Sequence, residues 1–401
     1  MLRRLGVAVT AAMFWLCCSS VVLADSKKSK QDEFLNPLEI TTPDPLLPRL
    51  KVDRPLNPLE RQNLAAALDE LNQQAQAKLK AGNRVRAFEI WNRELRLRRA
   101  LGSLEEVKAL GRVGAIAWSE NQGTQLKIIT QRLQTIQQQI KAQPSVNLNL
   151  LRSLGVAFEQ VRVPKSAVEV YEQILVTVRQ RQDTTAVEAT LKTIAALHLS
   201  WFDYTKAAAA YEELLALARA KRDRGSSVTY LQQLAYIYEQ AEQNQQAVQI
   251  KQQLAELYLN QEDFTQLPAL RLAIALDYES LGQLEEAFRN YQEAYASAWS
   301  LQQYYRASDA LRKLVSLYRS QGQIKEALQT SEILLEADNR SSNFYGMMNT
   351  YDQIGQIYLK LGDYGEASVA FQNGLQLAQQ LKYQETYFAQ QIKHVNRLIS
   401  K

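Results

Sequence analysis

The chain has almost no cysteine: two thiols in 401 residues, Cys17 and Cys18. A chain cleaved beyond them holds no thiol, which excludes disulfides, zinc-thiolate sites and cysteine nucleophiles together. Histidine is as scarce, with His198 and His394 alone, far apart, so no histidine pair stands at metal spacing. Glycine (15) and proline (9) are few, which speaks against β-rich folds with many tight turns. Neither charge sign dominates: 47 basic against 42 acidic residues give +5, or about +3 once a leader carrying Arg3 and Arg4 is removed, too little to argue for nucleic acid. What is there, 46% apolar and 22% charged residues with a mean hydropathy of -0.32, is a soluble globular profile. The length fits two or three ordinary domains or a repeat array without a single central core.

Arg3 and Arg4 precede an apolar run from Leu5 to Cys18, and Val22-Leu23-Ala24 offers a small-x-Ala site. Residues 1–24 are therefore expected to be a signal peptide cleaved near Ala24, with the protein in the periplasm or another exported compartment. The alternative is an uncleaved anchor, since Leu5 to Ala24 is uncharged and about twenty residues span a bilayer. Leu16 before Cys17 disfavours lipidation. Pro37, Pro43, Pro45, Pro48, Pro55 and Pro58 fall in residues 25–58, which opens with a polar run. This predicts an extended tether; the alternative is a docking segment carried by Phe34, Leu35, Leu38, Ile40, Leu46 and Leu47.

From Leu59 the pattern is helical and self-similar. Ala87, Ala167, Ala207, Ala247, Ala287, Ala327 and Ala367 fall on a 40-residue grid, with Lys127 in the remaining place. Nine residues upstream stand Lys78, Trp118, Phe158, His198, Tyr238, Tyr278, Tyr318 and Tyr358, and three before those Ala75, Ala115, Gly155, Ala195, Ala235, Ala275, Val315 and Gly355. The physical reading is paired antiparallel helices: a small residue in helix A admits its partner, an aromatic fills the space between, and alanine admits helix B. Gly82, Gly282, Gly322 and Gly362 fall where helix A must turn.

This pattern resembles the tetratricopeptide repeat family, best at Tyr351, Ile354-Gly355, Tyr358, Ala367 and Phe371. The resemblance implies an all-α fold: a right-handed superhelical solenoid of about eight helix pairs over residues 59–381. Over 382–401, the stripe Phe388, Ile392, Val395, Ile399 reads as a C-terminal capping helix. The repeat is 40 residues where the family standard is 34, and the extra length is expected in helix B. The second repeat, with Lys127 and Gln131 at its marker places, fits least. HEAT-type repeats share the length range but lack the small-then-aromatic spacing.

No phosphate loop, nucleophile elbow or metal-spaced histidine pair is present, so the chain is not expected to be an enzyme. His198 reads as packing, His394 as solvated, and the doublets Glu105-Glu106, Glu212-Glu213 and Glu285-Glu286 as solvated faces. Carrying the family's groove places over puts Arg112, Arg152, Lys192 and Arg312 at one height and Glu159, Glu239 and Glu279 at another, with Glu120 beside them. Two such rails would hold an extended polar peptide, stacked on Tyr236; the alternative is ordinary solubilising charge. Ile116 and Val156, where related clamps need asparagine, argue against the chaperone-tail ligand of those relatives.

The leading expectation is thus an exported scaffold for a protein segment, with no cofactor required. Glutamine richness and blocks such as Ala87-Phe88-Glu89-Ile90-Trp91 and Glu94-Leu95-Arg96-Leu97-Arg98-Arg99 also resemble the periplasmic processing-associated tetratricopeptide proteins of cyanobacteria. That resemblance implies an assembly factor of photosystem II contacting the D1 precursor, with peripheral membrane contact and manganese (Mn2+) delivery, its ligands carboxylates. The alternative is a generic periplasmic or outer-membrane assembly or secretion adaptor.

Overall fold

The computed structural model describes residues 36–47, 54–143 and 147–400. The expected leader, 1–24, with its choice between cleavage and anchor, and the start of the tether lie outside the described residues. The chain divides into two compact units, Met1–Ala100 and Leu101–Lys401. Among the described residues the regular structure is helical throughout, and no helix is long and apolar enough to cross a membrane.

The first unit holds one helix pair, α1 (Pro58–Lys80) and α2 (Arg84–Arg98). Asn57 and Glu60 form a reciprocal capping box with Pro58 just inside the helix, so α1 starts where its sequence satisfies the first free amides. Leu64, Leu68 and Leu71 of α1 and Phe88, Trp91 and Leu95 of α2 are buried, and the Trp91 indole donates to Asn72 across the pair (3.0 Å). The proline-rich stretch is not a free tether over Asn36 to Leu47. Leu38 is 1% exposed, Asp44 takes a bidentate bond from Arg93 (2.8 Å each), and Arg96 donates to the Pro37 carbonyl (2.7 Å). Two asparagine- and aspartate-led turns, after Asn36 and Asp44, set these contacts; of the residues in the docking alternative Leu38 is buried, Ile40 is exposed, and Phe34 and Leu35 lie outside the described residues.

The second unit is a run of helices: α3 (Ser103–Ser119), α4 (Gly123–Lys141), α5 (Leu148–Gln160), α6 (Pro164–Gln180), α7 (Thr184–Ser200), α8 (Tyr204–Ala220), α9 (Arg224–Gln240), α10 (Asn244–Asn260), α11 (Leu267–Ser280), α12 (Leu284–Ser300), α13 (Tyr304–Ser320), α14 (Ile324–Arg340), α15 (Phe344–Leu361), α16 (Tyr364–Leu381) and α17 (Glu385–Ile399). From α5 onward each packs on the next, so odd-numbered A helices form one layer and even-numbered B helices the other. The six residues beyond the family standard do not lengthen helix B alone. In α7 to α10 both partners are seventeen residues long, separated by three-residue turns.

That equality comes from one turn used everywhere. From Arg162 to Lys382 a residue of positive φ recurs every twenty residues. The amide after it bonds back to the carbonyl five residues earlier, as in Asp183 to Val178 (3.1 Å) and Asp203 to His198 (3.0 Å), the hydrogen-bond signature of a Schellman ending. The same residues then start the next helix: Asp183, Asp203, Asp223, Asn343 and Asp363 each accept the amide three residues on. Glycine occupies the left-handed position at only some turns; elsewhere it is Gln182, Phe202 or Arg222.

The grid alanines Ala167, Ala207, Ala247, Ala287, Ala327 and Ala367 are fully buried. A Cβ on Gly155 would come within 2.8 Å of the Tyr171 ring, and one on Gly355 within 2.6 Å of Phe371. The small place in helix A therefore seats the aromatic of helix B. His198 is buried and edge-on to Trp201 (5.1 Å), as packing requires. Two grid expectations fail. Trp118 is 51% exposed while Ala117 is buried, because the turn after α3 comes one residue early: Gln122 bonds back to Ala117, not Trp118. Glu106 is not solvated either, but buried and clamped by Arg132 (2.6 and 2.9 Å). At the C-terminus α17 covers the last pair with Phe388 and Val395 buried, whereas Ile399 is 55% exposed and ends the stripe early.

Candidate functional site

Helix periodicity leaves one stripe of each A helix uncovered. In α9 it is Thr229, Gln232, Tyr236 and Gln240, and the equivalent stripe in the neighbouring A helices carries the expected groove residues. One row has an apolar side chain exposed in four consecutive repeats: Val156, Ala196, Tyr236 and Leu276, the three large ones 46, 50 and 36% exposed. Beside Ala196 and Lys192 a cleft of about 640 Å³ opens against Glu159 and Arg162. Its counterpart four repeats on, at Ser316, Arg319 and Lys360, is about 520 Å³.

The structure places the four expected cations differently from one another. Arg152 is exposed and stands in no ion pair among the described residues. Arg112 is half-buried and has a partner. Lys192 is bonded to Glu188 (3.0 Å) and lies 5.5 Å from the centre of the Tyr230 ring; the Tyr230 hydroxyl and Glu188 hold its pKa up. Arg312 reaches Asp309 (3.1 Å) and the fully buried Asp338 (3.3 Å).

The expected acidic row is bonded to the B helices, with Glu239 and Glu279 still exposed and Glu159 half-buried. Glu159 accepts the Tyr171 hydroxyl and Glu279 the Tyr291 hydroxyl, each twelve residues ahead on the B helix. Burial first, then those carboxylates, push both tyrosines well above their ordinary pKa. Glu239 meets Lys251 at the same place (2.5 Å), and Glu120 is half-buried with a partner of its own. Lys192 of the basic row and Glu159 of the acidic row meet at one cleft, while Arg152 and the apolar row stand exposed beside it.

Three features escaped the sequence reading. Glu188 ties α7 to α8 and α9: it accepts from Lys192, from Lys221 (3.0 Å) and from the Tyr230 hydroxyl (2.7 Å), and these bonds, Tyr230 foremost, lower its pKa to about 2. Lys251 and Asp277 form a buried ion pair (2.7 Å), and burial raises the Asp277 pKa despite Lys251. Asp338 lies buried under Arg312 and Asn343. The signal for the last two was a break in the grid. Lys251 stands where Tyr171, Tyr211, Tyr291 and Phe371 stand, and Asp277 where Ala157, Leu197, Ile237 and Leu317 stand.

Residues 349–381 match the family model described as tetratricopeptide repeat. No curated protein matches the chain. Solved structures similar to it include BtubC (BKLC) from P. vanneervenii, 18% identical over 55% of this chain and 92% of that one, TM-score 0.37. Aspartyl phosphate phosphatase F from Bacillus subtilis is 14% identical over 72% and 78%, TM-score 0.39. A signal transduction ATPase with a tetratricopeptide repeat sensor from Pyrococcus horikoshii is 14% identical over 84% and 52%, TM-score 0.40. No functional conclusion follows from similarity at that level. Residues 349–381, within α15 and α16, thus match a tetratricopeptide repeat, and the helix pairs from α5 to α14 stand on the same 40-residue register.

Proposed function

We propose that the chain is an exported scaffold that holds an extended protein segment along the A-helix face of its second unit, without chemistry of its own. The observation that carries this is the row Val156, Ala196, Tyr236 and Leu276: four repeats expose an apolar side chain at the one place where each could meet the same ligand. Repeat arrays present such faces as binding surfaces, and a row of apolar contacts flanked by Arg152 and the Lys192 cleft suits a segment of alternating apolar and polar side chains. The finer reading, by resemblance, is an assembly factor for a membrane complex, with the D1 precursor of photosystem II as the segment held. Manganese delivery belongs to that finer reading alone; among the described residues no three His, Cys, Asp or Glu side chains lie together as a ligand set.

The test is a photo-crosslinking residue in place of Tyr236, activated in the native envelope. A discrete adduct should form, and Val156→Asp with Leu276→Asp should abolish it while leaving helicity unchanged. Adducts that persist in the double variant would place the partner elsewhere; a D1 precursor absent from the adduct would remove the finer reading alone.

A further inference from the structure

The opposite rim of the A helices, where each B helix turns into the next A helix, carries a charge imbalance centred on the α8–α9 turn. In the α6–α7 turn Arg179 is neutralised by Glu213 of α8 (2.5 and 2.6 Å). Forty residues on, the same bond runs from Arg219 to Gln253 (2.8 Å). A neutral amide there accepts the guanidinium proton and leaves the charge unbalanced. Arg222 and Arg224 flank the same turn, both exposed. The acid between them, Asp223, is turned back on Ser226, whose amide (3.0 Å) and hydroxyl (2.7 Å) it accepts. The three arginines line an open cleft of about 380 Å³ in which Glu256 is the only acid. Leu257, half-buried, gives that cleft an apolar wall in front of the buried Leu231, and Gln253 and Asn260 line it with amides.

We propose that this cleft binds an acidic segment of a partner polypeptide, a carboxylate on the arginines beside an apolar side chain against Leu257. Guanidinium forks match carboxylates bidentately, and the amides suit a peptide backbone. A nucleic acid or lipid surface would present continuous negative charge to Glu256 and no apolar side chain for Leu257. One repeat earlier the rim adds Arg181, about one helix diameter, roughly 10 Å, away. An extended chain at about 3.3 Å per residue covers that in three residues, so the preferred segment has acids at i and i+3.

The probe is a fluorescein-labelled peptide of four Glu-Leu-Ser units, titrated with the full chain at physiological salt and read by anisotropy. Arg219→Gln, Arg222→Gln and Arg224→Gln together should weaken binding at least tenfold. Gln253→Glu, which restores the neutralised arrangement of Arg179 and Glu213 without touching an arginine, should weaken it about threefold. Val156→Asp with Leu276→Asp should leave it unchanged, which separates this cleft from the A-helix row. Wild-type affinity in both arginine-cleft variants would overturn the proposal. So would equal binding of a peptide with its glutamates clustered, or displacement by inorganic phosphate or a short DNA duplex at equal charge concentration.

Discussion

From α5 to α16 every helix pair repeats one geometry, whereas the pair α3 and α4 obeys it only in part. Its turn comes a residue early, Ala117 takes the buried place of the aromatic, and Trp118 is left outside. From α6 onward each B helix packs on the A helix that follows, but here α3 packs directly on α5 and α4 touches α5 little. In the regular pairs a small residue on helix A, an aromatic on helix B and a Schellman turn specify one another. Once the turn slips, the other two lose their partners. The register is therefore a property of the set rather than of any marker residue.

The largest effect that would break the regular region is removal of one partner of its buried ion pair. Lys251→Ala should cost about 3–5 kcal/mol by chemical denaturation, because Asp277 is left buried and unpaired. Lys251→Tyr with Asp277→Leu, the side chains the register carries elsewhere, should return stability to the wild-type value or above. A double variant no more stable than Lys251→Ala would mean that the grid does not define those places.

A middle-sized effect sharpens the contrast with the second repeat. Gly155→Leu drives a side chain into the Tyr171 ring and should cost about 1–3 kcal/mol. Ala115→Leu, at the same grid place but half-buried after the slip, should cost less than half as much. Equal losses would show that the slip has no energetic meaning.

The smallest effect is acid dependence. Glu188 titrates near 2 in the folded chain against an ordinary 4.5. Its contribution is present above the ordinary value and disappears as pH falls from there toward 2. Its partners Lys192 and Lys221 are 52% and 41% exposed, so solvent screening keeps the effect on stability modest, under about 1 kcal/mol. Thermal midpoints of wild type and Glu188→Gln, separated at pH 6, should converge as pH approaches 2; a constant separation would assign the difference to packing.

Much of this was legible in the sequence. The alanine grid gave helix order, pairing and the buried face, because those alanines lie where any larger side chain would separate two helices. The twenty-residue turn period was harder to see, since side chains distinguish A from B helices and glycine marks only some turns. The capping row Asp183, Asp203, Asp223, Asn343 and Asp363 would have shown it. The bonds made by the acidic row were illegible for a different reason. Glu159 and Glu279 do occupy the stripe that spacing assigns them, but Tyr171 and Tyr291 lie twelve residues ahead across a turn, and only the packed pair brings their hydroxyls within reach.

The shared turn also means that the backbone from α6 to α10 carries no parity. There a chain trace alone, with every helix seventeen residues long and the turns alike, cannot tell an odd helix from an even one. Excising two helices leaves parity intact, whereas excising a single one, twenty residues with its turn, would join two correct turns and invert the layer assignment of everything downstream. Every later Val156-type place would then fall among B helices and every aromatic would face the stripe meant for a ligand. Insertions and deletions in this array are thus tolerated or lethal according to a rule of evenness enforced by side chains, not by the fold's own geometry.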